Sequence, residues 1–252
     1  MTDSLPSRLD YEKVNRYLVD WLEEKIGAAG RKGGVVGLSG GLDSSVTAAL
    51  LNQAFPDNSL AVILPCESRE EDVDDARLAA EKIGIEVENI ELDGVFHDLL
   101  SRLREAEPGR DKLAEANIKP RLRMTALYYL AARREALVVG TDNWSELTTG
   151  YFTKYGDGGV DIAPLGRLVK TEVRELGRFL GIPEKIIERQ PSAGLWKGQT
   201  DEEELGLSYD ELDGYILRGE ARPEVEERVE ELKQGSRHKK EFPPVPERQK
   251  LT

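Results

Sequence analysis

Between an apolar run, "VVGL", and an apparent helix, "VTAALL", the chain reads Ser39-Gly40-Gly41-Leu42-Asp43-Ser44-Ser45. Glycines at 37, 40 and 41 let successive backbone N–H groups turn toward one point. The start of the following helix adds free donors and a partial positive charge, so the turn is suited to an anion. Hydroxyls of Ser39, Ser44 and Ser45 add further donors. Two familiar phosphate patterns are absent: no lysine follows the glycines, and the spacing is not G-x-G-x-x-G. Asp43 is out of place in such a loop, because a carboxylate repels bound phosphate unless a divalent cation bridges the two. The combination suggests a magnesium nucleotide, with the remaining positive charge supplied from elsewhere in the chain.

The plainer reading is a tight strand-to-helix turn capped by Asp43 or Ser44. A sharper rival is the nucleophile elbow of α/β-hydrolases, G-x-S-x-G, which Gly37 to Gly41 also satisfies. Ser39 would then be the nucleophile, Asp142 or Asp161 the acid and His238 the base. Against it, His238 lies in a charged tail, and the elbow gives no reason for the "LDSS" that follows.

A site of this kind needs elements that converge on it. Three short apolar runs, 35–38, 60–64 and 136–140, read as strands buried on both faces, and 85–92 is a weaker candidate. Helical patterns fill 9–29, 43–54, 69–83 and 94–106, and another runs over 121–135 with Pro120 at its first position. Further helices follow at about 171–181, 208–218 and 222–234. Such alternation predicts a parallel Rossmann-like sheet with right-handed crossovers and helices on both faces, one α/β domain over 1–252 with a helical C-terminal appendage and tail from about 205. Ligands then bind beyond the carboxyl ends of the strands, after Leu38, Leu64 and Gly140. The run 140–170 reads as one long functional loop, and a second precedes the appendage.

Composition narrows the chemistry. Acidic residues outnumber basic ones 48 to 35, a net charge of −13, which argues against broad nucleic-acid binding. With a single cysteine, Cys66, and two histidines, disulfides and Cys- or His-rich metal sites are excluded, leaving a hard cation such as Mg²⁺. No run reaches the roughly 18 apolar residues of a membrane span, and the N-terminus lacks a signal-peptide core; the expectation is a cytoplasmic protein away from membranes.

The pattern S-G-G-x-D-S at 39–44 resembles the pyrophosphate (PP) loop of ATP pyrophosphatases, which activate a carboxyl or carbonyl group by adenylation. Four more stretches resemble the NAD synthetase family: "NIKPRLRM" 117–124, "GTDNWSELTTGYFTKYGDGGVDIAPLGRLVK" 140–170, "PSAGLWKGQTDEEELGLSYDELD" 191–213 and "RHKKEFPP" 237–244. The resemblance implies an adenine nucleotide alpha hydrolase-like fold. It also implies conversion of deamido-NAD, ATP and ammonia to NAD, AMP and pyrophosphate.

By that resemblance Gly37, Ser39, Gly40, Gly41, Asp43, Ser44 and Ser45 would bind ATP together with Thr141, Lys170 and Ser192. Asp43 and Glu146 would hold Mg²⁺. Lys170 would neutralise the phosphate chain, the charge the loop lacks, and Asp157 would act on ammonium. Arg121, Lys154, Asp157, Asp161, His238 and Lys239 would bind deamido-NAD. The adenine would lie against "LAVILP". Read without the resemblance, Glu146 is a solvated loop acid, Lys170 a surface lysine and Cys66 an inert apolar residue. The family's larger relatives carry a glutaminase domain for which this length leaves no room, which implies free ammonia as nitrogen source. The resemblance also implies a homodimer; "MTALYYLAA" 124–132, apolar around most of a helix, fits either subunit contact or deep burial. A tRNA-modifying PP-loop enzyme is disfavoured by the acidic charge and the lack of catalytic cysteines.

Overall fold

The computed structural model describes residues 9–192 and 200–248. Four parallel strands form one sheet in the order β3-β2-β1-β4: β1 Gly34–Gly37, β2 Ser59–Ile63, β3 Val87–Asn89 and β4 Leu137–Val139. Every residue of β2 and all but the last of β1 are buried, as the unbroken apolar runs require. The weaker candidate becomes β3, a polar, exposed edge strand of three residues.

Helices cover both faces. On one, α1 (Tyr11–Ala28), α2 (Leu42–Ala54), α3 (Glu70–Ile83) and α8 (Lys170–Phe179) share a core containing Leu22, Ile26, Leu50, Leu51 and Leu176. On the other, α4 (Asp93–Ala106) and α6 (Ile118–Arg134), preceded by the short α5 (Lys112–Ala116), pack over Val35, Leu60, Val62 and Val138. Helix α6 begins two residues before Pro120, not at it. The ring is still confined to the first turn, where backbone N–H groups have no intrahelical acceptor to lose.

The run 140–170 is not a bare loop. It contains α7 (Trp144–Thr149), closed by a capping box in which Asn143 and Glu146 each bond the other's backbone N–H. After α9 (Glu184–Ile187), the helices α10 (Asp201–Leu205), α11 (Tyr209–Arg218) and α12 (Pro223–Lys240) build a small core of their own around Leu205, Leu212 and Val229. Helix α12 lies against α7 so closely that a Cβ added at Gly150 would come within 2.0 Å of Ser236 Cβ. At its end Lys239 donates to the carbonyls of Gly150 and Phe152, and Lys240 to that of Thr148. The last turn of α12 thus pins the end of α7 and the segment that follows it.

Strands β2 and β3 lie to one side of β1 and β4 to the other. Chain direction therefore diverges between β1 and β4, and the loops leaving their carboxyl ends flank a crevice, the usual ligand position in an open parallel sheet.

Candidate active site

A cavity of about 560 Å³ opens at that crevice. Gly37, Ser39, Gly41, Asp43 and Ser44 form one wall, and Thr141, Asp142 and Glu146 another. Gly40 takes φ +80, and a Cβ there would lie 2.3 Å from the Asp72 carbonyl oxygen of α3; only glycine permits both the turn and the approach. Gly41 caps α2 without a side-chain bond, so the first N–H groups of that helix face the turn. Ser44 Oγ donates to Gly41 O at 3.0 Å and accepts from Ser39 N at 3.2 Å, bracing the loop from within. Ser45 is fully buried and its hydroxyl donates to Gly41 O at 2.8 Å, so it supports the loop from behind the cavity wall.

Asp43 and Glu146, 103 positions apart in the sequence, meet across the crevice. Between them lies the ammonium of Lys170, which donates to Asp43 Oδ2 and, at 3.2 Å, to Glu146 Oε1. Asn143 ties the group together: its Nδ2 donates to Asp43 Oδ1 at 3.0 Å while it forms the α7 capping box with Glu146. Lys170 is only 4% exposed, and its ammonium sits 5.2 Å from the centre of the Tyr209 ring. Burial works against that charge, but Asp43 and Glu146 outweigh it and hold the lysine above its ordinary value. Burial pushes Glu146 up to about 8, with Lys170 pulling the other way. Asp142, 8% exposed, is raised well above the usual carboxylate range, by burial first and by the negative charges of Asp157, Glu146 and Asp43 next. Asp201 Oδ2 accepts from Tyr209 OH, while its buried Oδ1 has no partner.

The other end of the cavity is lined by Asp157, Arg123 and Lys239. Asp157 is exposed and is one of the cavity-lining residues; the protein packed around it raises its carboxyl, while the Thr153 N–H, Lys239 and Arg123 hold the rise back. Arg123 donates to Leu64 O at 3.0 Å and Ser68 Oγ at 3.3 Å, so it fixes the segment that follows β2.

Three remaining predicted residues form a chain over the surface beside this end: Arg121 Nε donates to Lys154 O, and Lys154 Nζ to His238 O. Asp161 is engaged elsewhere, accepting from Val138 N at 2.8 Å and Tyr128 OH at 3.1 Å at the sheet edge. Ser192 is exposed and lines the cavity, and residues 193–199 of the same predicted stretch lie outside the described residues. Sequence reasoning missed Asn143, Arg123 and Asp201, and named Asp142 only as an acid for the hydrolase reading. Only Asn143 carried a signal, the N-x-x-E spacing to Glu146 before a helix. Cys66 is fully buried, with its thiol raised by burial, as an inert residue should be.

Two features count against a serine nucleophile. Ser39 Oγ bonds Ser44 Oγ and accepts from Gly41 N, and no histidine lines the cavity among the described residues. Nor does any group of three or more His, Cys, Asp or Glu side chains converge as a ready-made metal site among those residues.

A parallel sheet with a serine-glycine loop at its switch point, faced by buried charges from the next strand end, defines the PP-loop Rossmann-like class of nucleotide-binding proteins. Within that class the chain belongs to the NAD synthase family, which matches residues 14–243. It is 51% identical over 240 residues to the NH3-dependent NAD+ synthetase of Carboxydothermus hydrogenoformans, covering 95% of this chain and 99% of that one. Among solved structures it resembles the NMN synthetase of Francisella tularensis, with TM-score 0.89 and 36% identity over 94% of this chain and 99% of that one. It also resembles the NH3-dependent NAD synthetase of Campylobacter jejuni in complex with nitrate, with TM-score 0.78 and 28% identity over 95% and 100%.

Proposed function

We propose that this chain is an ammonia-dependent NAD synthetase, amidating the nicotinate carboxylate of deamido-NAD at the expense of ATP. The chemical problem is that a carboxylate repels an incoming nucleophile and would have to expel oxide. Attack of a carboxylate oxygen on the ATP α-phosphorus forms a carbon-oxygen-phosphorus link, breaks the bond to the β-phosphate oxygen and releases pyrophosphate. Ammonia then adds to the acyl carbon, and AMP leaves with the electron pair of the cleaved C–O bond.

The observation that carries this reading is the placement of Lys170 between Asp43 and Glu146, beside the serine-glycine loop. Loop N–H groups and the Ser39 and Ser44 hydroxyls receive the β- and γ-phosphates, with Thr141 and Ser192 at the cavity wall for the rest of ATP. Lys170 turns its ammonium onto the phosphates and stabilises the charge that accumulates as pyrophosphate departs. Asp43 and Glu146 offer the carboxylate oxygens a hard cation takes, so they would hold Mg²⁺. When bound, that ion supplies positive charge against the departing phosphates. Asp157 accepts a proton from ammonium, and burial, which raises its carboxyl above the ordinary carboxylate value, makes it a stronger base. Arg121, Lys154, His238 and Lys239 receive deamido-NAD on the adjoining surface.

A homodimer would cover that surface. Helix α6 is half-buried along most of its apolar stretch, with Tyr129 66% exposed and Leu113 of α5 58% exposed, so the deep-burial alternative does not account for its composition.

Incubation with deamido-NAD, Mg-ATP and ammonium should yield NAD, AMP and pyrophosphate in equal amounts. Absence of ammonium-dependent AMP release would overturn the reading. The likeness to an NMN synthetase favours one second reading, with nicotinate mononucleotide as the carboxylate substrate. Comparison of kcat/KM for the two substrates separates them, and deamido-NAD should win.

A further inference from the structure

Helix α8 begins at Lys170, yet its cap residue is Val169, which has no side-chain acceptor to offer. The first N–H groups of a helix need partners when buried, and here two other elements supply them. Lys170 N donates to Ser145 Oγ of α7 at 3.1 Å, and Thr171 N donates to Asp213 Oδ2 of α11 at 2.8 Å. Ser145 Oγ in turn donates to Asp213 Oδ1 at 2.5 Å, closing the chain. Both Ser145 and Asp213 are fully buried. Ser145 directly precedes Glu146, so a single carboxylate from the C-terminal helices holds the backbones of both Lys170 and its partner acid.

We infer that Asp213 is a positioning residue for pyrophosphate release: through Ser145 and Thr171 it fixes the backbone at Lys170 relative to Glu146, and so sets where the ammonium points. The inference rests on the role proposed for Lys170 above. Asp213 uses both oxygens as acceptors, facing the Ser145 O–H and the Thr171 N–H, with the Thr171 hydroxyl bonded to it as well. Asparagine keeps the size but offers one acceptor oxygen, so either Thr171 N loses its acceptor or the Ser145 hydroxyl must turn its proton elsewhere. A shift of about 1 Å at the lysine is enough to slow phosphate chemistry substantially.

The test compares wild type, Asp213→Asn, Ser145→Ala and the double variant for pyrophosphate release, with KM for ammonium and thermal melting measured alongside. The expected result is a fall in kcat of about tenfold or more in Asp213→Asn, with KM for ammonium unchanged and melting still well above the assay temperature. Because the two residues act as one chain, the double variant should be no slower than the worse single variant. Unchanged kcat in folded Asp213→Asn, losses that multiply in the double variant, or a loss that disappears when the assay is cooled further below melting would each overturn the inference. If Asp213→Asn does not fold, Ser145→Ala carries the same comparison: a slowed kcat with KM for ammonium held supports the clamp, and an unchanged kcat removes it. Failure of the wild type to release pyrophosphate would instead overturn the role of Lys170.

Discussion

Lys170 between two acids is an arrangement that dry burial alone would penalise, and its ammonium persists because it is paired with Asp43 and also donates to Glu146. Removing one partner should therefore hurt function and stability differently. Asp43→Asn is expected to abolish Mg²⁺-dependent ATP cleavage while leaving circular dichroism unchanged; wild-type turnover would refute a metal role for Asp43. Glu146 supplies a pH signature. Its folded value, about 8, lies above the ordinary 4.5, so protonation of the native state stabilises it at low pH. That contribution falls away as pH climbs from about 4.5 to about 8. A cation bound to the ionised carboxylate displaces the proton, so the rise in Tm on adding Mg-ATP should grow between pH 5.5 and 8 and then level off. A shift that shrinks over that range would contradict this. At this scale the sequence exposed Asp43, since a lone acid in an anion loop violates local logic. Lys170 and Glu146 became visible only through the family resemblance. Arg123 and Asp201 stayed hidden because no local spacing marks them, Asn143 was legible only as the N-x-x-E spacing to Glu146, and Asp142 was singled out only as an acid for the hydrolase reading.

Strands were the most legible elements. A buried parallel strand has to be apolar throughout, and 35–38, 60–64 and 136–140 land within a residue or two of β1, β2 and β4. Edge strand β3 escapes that rule because water satisfies its outer face. Short helices were the harder case: α7 carries the Asn143–Glu146 cap but only six residues, too few for a 3.6-residue period to declare itself. Tertiary contact, not propensity, holds such a helix. The same holds for the turn before α2, where fit against α3 decides the geometry. Gly40→Ala forces a side chain onto φ +80 and into the Asp72 carbonyl, so it should cost about 2–4 kcal/mol in urea unfolding and sharply weaken ATP binding. Gly84→Ala, at φ +75 but with open space around it, isolates the backbone cost and should lose about 1 kcal/mol with ATP affinity intact.

For the whole molecule, the layered sheet and the separate core of α10–α12 both follow from amphipathic patterns, but how the appendage meets the sheet does not. No helix among the described residues is long and apolar enough to cross a membrane. The proposed homodimer would use the surface of α5 and α6. Tyr129→Glu should shift sedimentation from dimer to monomer and raise KM for deamido-NAD more than for ATP. An unchanged sedimentation coefficient would move the interface elsewhere.

Lys239 reaches back 87 residues to the Phe152 carbonyl and lines the cavity beside Asp157. The consequence concerns synthesis. A nascent chain can lay down the sheet and the serine-glycine loop early, yet the Asp157 end of the cavity lacks Lys239 until α12 has been made and docks on α7.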